Sequence, residues 1–317
     1  RDALPSLDDV LKAAVRTLKH IPKRARPLCG QVLGRALALV NETQSLEAWT
    51  QLLMLPKATL LAPPRSGKKH RKQAATYTLD RLACWQAGER ATLWEDVASR
   101  QYKRPPKPET PEKRRQRAEA LCREGFDRKA CARLVSSGSL PENTHTHTAD
   151  ELRNLHPQAQ APTCPLLASL PAAEDIHMSV VDKVLRSFPL DSAPGPSGLR
   201  IQHLLEALSP ATRTPLLEQI TAITNALAQG TAPAELAPHL AGAGLMALSK
   251  PKGGVRPIAV GEIWRRISGK CLCAKTKDQA LSFFPPLQVG VACPLGIDAA
   301  VHVGRAWCAR NRSNQNK

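Results

Sequence analysis

Apolar residues recur every three or four positions along most of this chain, a spacing that predicts amphipathic helices. After the loop at 193–200, the sequence predicts a short helix followed by a longer one. Ser209 and Pro210 are typical of the start of that longer helix, and Gly230 is typical of its end. The remaining helices are predicted over about 7–18, 32–40, 46–54, 74–87, 89–101, 112–124, 127–136, 149–155, 174–188, 262–282 and 296–310.

Two short apolar segments late in the chain, 244–249 and 255–260, flank a glycine turn and predict a β-hairpin. Because proline cannot donate a ladder hydrogen bond, Pro257 is expected at an edge or a bulge. The expected fold class is therefore α+β and mostly α-helical. The composition further divides the chain into a basic helical N-terminal region at 1–135, a linker at 136–172 and a third region at 173–317.

Charge gives the first indication of a partner. The chain carries 45 Lys and Arg against 27 Asp and Glu, a net charge of +18, with a pI near 9.9. Such an excess favours a polyanion, most often RNA or DNA, although a basic surface that only aids solubility stays possible. Aromatic residues are 3% of the chain, too few for a base-stacking platform, so contact with the nucleic-acid backbone is expected. The candidate contact residues are Arg65, Lys68, Lys69, Arg71, Lys72, Lys113, Arg114, Arg115 and Arg117.

Several other classes are disfavoured. The nine cysteines, an odd number with no CxxC pair, indicate reduced thiols in an intracellular protein and give little support for zinc. His145 and His147 lie in a stretch with loop composition. No apolar segment approaches the roughly 20 residues of a membrane span, so no membrane association is predicted. The sequence begins at Arg1 without a recognisable signal peptide, and we expect it to be part of a longer protein.

The hairpin turn carries the candidate chemistry. Lys250, Lys252 and Arg256 lie on or beside Gly253 and Gly254, whose backbone N–H groups are not shielded by side chains. Cationic side chains and free backbone donors together suit a chain of phosphates. From composition alone, a solvated basic turn is the favoured interpretation.

The sequence on either side of that turn favours a phosphate-binding site. The segment 248–266, with its pattern K-P-x-G-G-x-R-P-I-A-V-G-E-x-x-R-R, resembles the fingers hairpin of reverse transcriptases from retrotransposons without long terminal repeats. Upstream, Ala193-Pro194-Gly195-Pro196-Ser197-Gly198-Leu199-Arg200 is similar to the A-P-G-P-x-G segment that precedes the fingers in that family. Downstream, Gln288-Val289-Gly290 and the helix that follows resemble the segment before the palm. The three segments occur in the family's order.

The resemblance implies that Lys250 and Arg256 hold the incoming deoxynucleotide triphosphate, that Lys252 assists, and that Gln288 and Gly290 lie near the template. It also implies a polymerase that acts on chromosomal DNA, and hence a nuclear location. The family's metal-binding carboxylates have no counterpart here, since Asp8 and Asp9 are the one adjacent aspartate pair. We therefore assign no catalytic or metal-binding residue, expect Mg²⁺ only in a full-length enzyme, and predict no polymerase activity from this chain alone. A domesticated, non-catalytic nucleic-acid-binding module and a helical scaffold remain the alternatives.

Overall fold

The computed structural model describes residues 4–64, 70–100, 110–123, 125–135, 145–156, 173–189, 191–250, 254–284, 286 and 288–312. In its N-terminal half, the helices are α1 (Leu7–Lys12), α2 (Arg26–Thr43), α3 (Leu46–Thr59), α4 (His70–Gln86), α5 (Arg90–Ser99), α6 (Pro111–Arg123), α7 (Asp127–Val135) and α8 (His145–Leu155). The C-terminal half contains α9 (Met178–Arg186), α10 (Ile201–Ala207), α11 (Arg213–Gln229), α12 (Ala237–Ala241), β1 (Ala243–Ser249), β2 (Val255–Gly261), α13 (Ile263–Lys275), α14 (Lys277–Phe283) and α15 (Gly296–Arg310). The expected mostly helical α+β class is confirmed.

The core lies where α2, α3, α9, α10, α11 and α13 pack against one another. Its largest buried side chains include Trp49 and Trp264, and Leu204, Ile220 and Ile267 are buried in the same cluster. Residues from both sides of the predicted linker therefore contribute to one continuous core. The linker at 136–172 lies mostly outside the described residues, and the division into regions stays a prediction.

The helix predicted over 7–18 is wrong in its second half. α1 ends at Lys12, and the chain then runs extended beside the segment that follows α3, with a β-bridge between Thr17 and Leu61. The Leu18 amide donates to the Leu60 carbonyl at 2.8 Å, and the Ala62 amide donates to the Arg16 carbonyl at 2.8 Å. A distant segment thus satisfies the backbone groups that a longer helix would have paired internally.

Prolines and capping residues also act differently from the expectation. α3 was expected to end before Pro56 but continues to Thr59, since residues 52–59 are buried and tertiary packing maintains the helix. Pro27 lies in the first turn of α2, where proline is tolerated. The start signal at Ser209 and Pro210 is displaced, because α11 begins at Arg213. Its end at Gly230, in the left-handed region at φ +72°, is confirmed.

Some boundaries in the second half are also shorter or longer than expected. α9 begins at Met178 rather than near 174, and His177 precedes it with its Nδ1 accepting from the Ser179 amide at 3.3 Å. The predicted helix over 262–282 is divided into α13 and α14 at Thr276. His145 and His147, expected in a loop, fall in the first turn of α8. Among the described helices, none has the length and apolarity to cross a membrane.

The hairpin is confirmed, with β1 and β2 forming a two-stranded antiparallel sheet in which Leu248 pairs with Arg256 and Ala247 with Pro257. Val255 is buried, whereas Leu245 and Met246 are 43% and 52% exposed. α8 packs against β2. Little of the hairpin's own apolar surface is buried, so its orientation depends on how its two ends are attached to the helices.

Candidate phosphate-binding hairpin

The tip of the hairpin presents two exposed cations. The Lys250 amide donates to the Gly254 carbonyl at 3.0 Å and closes the turn. Gly254 has φ +80°, which only glycine adopts without strain, and no atom lies within 4 Å of the position that a Cβ would take. Within the described part of the chain, no hydrogen bond or ion pair engages the side chain of Lys250 or Arg256, both of which are exposed. Lys252 lies outside the described residues.

The base of the hairpin is attached to the core through Glu262, which directly follows β2 and is completely buried. Its Oε2 accepts a hydrogen bond from the Ser197 amide at 2.9 Å, and its Oε1 accepts from the Ser197 hydroxyl at 2.7 Å. Oε1 also accepts from the Ile263 amide at 2.9 Å, so the carboxylate caps α13. Ser197 and Glu262 are 65 residues apart in sequence. One side chain therefore joins two of the segments that carry the resemblance.

A second contact closes the base of the hairpin from the other side. Arg265, in the first turn of α13, donates from Nη1 to the Ala241 carbonyl at 2.7 Å. Ala241 ends the short helix that leads into β1, so the chain entering the hairpin and the chain leaving it are held together. The strands thus begin and end on fixed points of the helical core.

Two glycines of the 193–200 loop make the Glu262 contact possible. A Cβ on Gly195 would lie 2.7 Å from Glu262 Cα and 2.7 Å from Glu262 Oε2. Gly198 has φ +84°, and a Cβ there would approach Thr17 Cγ2 to 3.2 Å. The glycines are therefore required for close packing of this loop, which explains part of the motif without reference to a ligand.

Lys57 is buried near Glu262, with 3% of its surface exposed. Its Nζ donates to the carbonyls of Val10 and Leu11. Burial lowers the pKa of Lys57 to about 8, although the nearby Glu262 opposes that shift. Burial likewise raises the pKa of Glu262, against the effect of its hydrogen bonds and of Lys57. Each group therefore carries a desolvation cost that its partner partly offsets.

α10 connects the loop to the N-terminal helices through buried polar side chains. His203, 1% exposed, donates from Nε2 to the Leu18 carbonyl at 2.8 Å and accepts from the Arg200 amide at Nδ1. Burial lowers the pKa of His203 to about 4, which keeps the imidazole neutral at pH 7. Glu206 accepts from the Ile21 amide at 2.7 Å and from Arg26 Nη2 at 2.8 Å. These contacts fix the loop against the segment at 17–26.

Sequence reasoning missed Ser197, Glu262, Lys57 and His203 as parts of this arrangement. The first two stand inside the quoted motifs, so the resemblance was a usable signal for them. Lys57 and His203 had no comparable signal, because a buried cation and a buried imidazole are recognised only once their tertiary neighbours are known.

The template-proximal pair is placed apart from the hairpin's hydrogen-bond network. Gln288 and Gly290 are exposed, and Gln288 Oε1 accepts from the Gly290 amide at 2.7 Å. α15, which follows them, is exposed along its length apart from Gly296, and Ile297, Val303 and Trp307 are 67%, 69% and 52% exposed. The position of Gln288 and Gly290 near a template stays a prediction.

The basic residues expected to contact nucleic acid fall into two groups. Arg65, Lys68 and Lys69 lie outside the described residues, and Arg71 and Lys72 fall in the first turn of α4, where side-chain positions are not described. The second group begins α6, with three of its four members exposed and one, Arg114, half-buried; it consists of Lys113, Arg114, Arg115 and Arg117. α6 packs against α7 around Ala118. The contact of both groups of basic residues with nucleic acid stays a prediction.

Across the described ranges, no group of three or more His, Cys, Asp and Glu side chains is arranged to hold a metal ion. Comparisons of the chain with protein-family models, curated proteins and solved structures gave no match.

Proposed function

We propose that this chain is the nucleic-acid-binding and nucleotide-binding portion of a retroelement-type RNA-directed DNA polymerase. In this proposal Lys250 and Arg256 bind the triphosphate of a deoxynucleotide at the tip of the hairpin, and Lys252 assists. The observation that supports it is the buried contact between Ser197 and Glu262, which joins two separately recognised segments at the base of the hairpin.

The chemistry of the tip suits a triphosphate. Both side chains are exposed, and neither has a partner among the described residues that a phosphate would first have to displace. Hydrogen bonds from cations to phosphate oxygens are about twice as strong as neutral ones. Gly254 keeps the backbone at the turn accessible to a ligand. A purely structural role for these cations would require partners that this part of the structure does not supply.

In this proposal the chain binds a triphosphate and nucleic acid, and its residues do not catalyse phosphoryl transfer. Nucleotidyl transfer uses two metal ions that clamp the attacking and leaving oxygens, and these ions need convergent carboxylates. The sequence contains no Tyr-x-Asp-Asp or Phe-x-Asp-Asp motif that would supply them. The expected property of this chain is therefore affinity for a triphosphate and for nucleic acid without nucleotide incorporation.

Arg256→Ala is expected to weaken binding of a deoxynucleotide triphosphate by about tenfold or more, since a charge-assisted hydrogen bond contributes about 1.5–3 kcal/mol. The measurement is isothermal titration with a deoxynucleotide triphosphate at low salt. Arg123→Ala is the matched control, because Arg123 is an exposed arginine on α6 that pairs with Glu119. Equal affinities of Arg256→Ala and Arg123→Ala would contradict the assignment.

A further inference from the structure

The loop that leads from α9 to Ala193 is surrounded by cations. Five basic side chains contact Ser187, Asp191 or Ala193, and they come from four separate parts of the chain: the extended segment after α1, α7, the position directly before α10, and α13. They are Lys19, Lys129, Arg200, Arg266 and Lys270, which we call the loop cluster. None of the five is among the residues that the sequence predicted to contact nucleic acid, although Arg200 and Arg266 stand in the segments that carry the resemblance.

Three members of the loop cluster converge on one carboxylate. Asp191 Oδ1 lies 3.3 Å from Lys19 Nζ and 4.0 Å from Arg200 Nη1, and Asp191 Oδ2 lies 3.8 Å from Lys129 Nζ. The Arg200 side chain is 15% exposed, whereas those of Lys19 and Lys129 are 63% and 45% exposed. The two lysines therefore stand at the surface above a largely buried arginine.

The two members on α13 hold the other side of the loop. Arg266 Nη1 donates to the Ala193 carbonyl at 2.9 Å, and Lys270 Nζ donates to the Ser187 carbonyl at 3.3 Å. Both cations also lie over the Phe188 ring, at 5.4 Å and 4.5 Å from its centroid. Neutral partners of this kind orient a cation without cancelling its charge.

Among the described ion pairs, Lys19, Arg200, Arg266 and Lys270 have one carboxylate partner between them, Asp191. The loop cluster consequently keeps a strong positive charge. Donors also remain: a guanidinium has five N–H groups and an ammonium has three, and the bonds above use few of them. A fixed group of cations with spare donors, spread over both sides of one loop, suits several phosphates more than one small anion.

We propose that the loop cluster binds the phosphate backbone of a nucleic acid. This inference rests on the proposed function, in that it presumes that the chain binds RNA or DNA, and it names where the backbone lies. The 193–200 loop and the Glu262 contact link this surface directly to the base of the hairpin. A backbone held by the loop cluster would therefore be positioned relative to the triphosphate site by one rigid connection.

The test compares two triple variants that remove the same charge. Lys19→Gln, Lys129→Gln and Lys270→Gln together change the loop cluster, and Lys12→Gln, Arg123→Gln and Arg153→Gln together change exposed cations elsewhere. Fluorescence anisotropy measures binding to labelled duplex and single-stranded oligonucleotides between about 50 and 200 mM salt. We expect the cluster variant to bind at least tenfold more weakly and its duplex salt slope to fall by about two to three, at about 0.9 per lost phosphate contact.

The outcomes separate the two proposals. If the wild-type chain binds neither oligonucleotide, the proposed nucleic-acid binding is wrong, and this inference with it. If the wild type binds but both triple variants show the same affinity and slope, the inference alone is wrong. Circular dichroism melting checks the fold. If the triple variant of the loop cluster unfolds, the double variant Lys19→Gln and Lys129→Gln replaces it, because it changes only surface side chains. An unaltered salt slope in this double variant overturns the inference.

Discussion

Glu262→Ala is expected to lower the free energy of unfolding by about 3–5 kcal/mol, the size of effect seen when one member of a buried charged network is removed. The alanine would leave the Ser197 amide, the Ser197 hydroxyl and the Ile263 amide without their acceptor. It would also leave the buried Lys57 without the carboxylate that partly offsets its desolvation. Urea denaturation followed by circular dichroism measures the change.

Two comparisons make this result specific. Ser197→Ala removes one of the three donors and is expected to cost about 1–2 kcal/mol. Glu235→Ala removes an exposed carboxylate and is expected to change stability by less than about 0.5 kcal/mol. A Glu262→Ala variant as stable as Glu235→Ala would show that the junction does not hold the hairpin to the core.

The cost of burying Lys57 is expected to disappear at alkaline pH. Its pKa falls from 10.5 to about 8 on folding, so between these values the unfolded chain binds more protons and stability rises with pH. At about 1.4 kcal/mol per pKa unit, the charged form costs about 3 kcal/mol at neutral pH. The stability of wild type relative to Lys57→Met is therefore expected to rise by about 2–3 kcal/mol between pH 7.5 and pH 10.

Parallel urea titrations of wild type and Lys57→Met across that range test the expectation, since other titrating groups are common to both proteins. Lys12→Met provides the control, because Lys12 is an exposed lysine that forms a surface pair with Asp8. A gap between wild type and Lys57→Met that stays constant from pH 7.5 to 10 would contradict the assigned titration of Lys57.

The local parts of the fold were accessible from the sequence. α15 was predicted over 296–310 and occupies that range, and the hairpin matches its prediction to within a residue at each strand end. Both depend on short-range signals: helical spacing in one case, and a glycine turn between two apolar segments in the other. The errors at α1 and α3 arose where tertiary contacts override local signals.

The candidate site was likewise predicted only in part from the sequence. The resemblance located Lys250, Arg256 and the loop at 193–200 because those residues stand in recognisable segments. It gave no indication that Glu262 would join two of them, since the partners lie 65 residues apart and periodicity has no long-range content. The loop cluster was missed because its members come from four distant parts of the chain, and charge counting along the chain does not show which cations meet in the fold.

The most direct test of the triphosphate site is hydrogen–deuterium exchange with mass spectrometry, with a deoxynucleotide triphosphate compared against its nucleoside. The triphosphate is expected to slow exchange in peptides covering the hairpin, 243–261, in wild type but not in Arg256→Ala. The nucleoside, which lacks phosphates, should leave the same peptides unchanged. Protection elsewhere with none at 243–261, or equal protection by the nucleoside, would contradict the assignment of the hairpin as a triphosphate site.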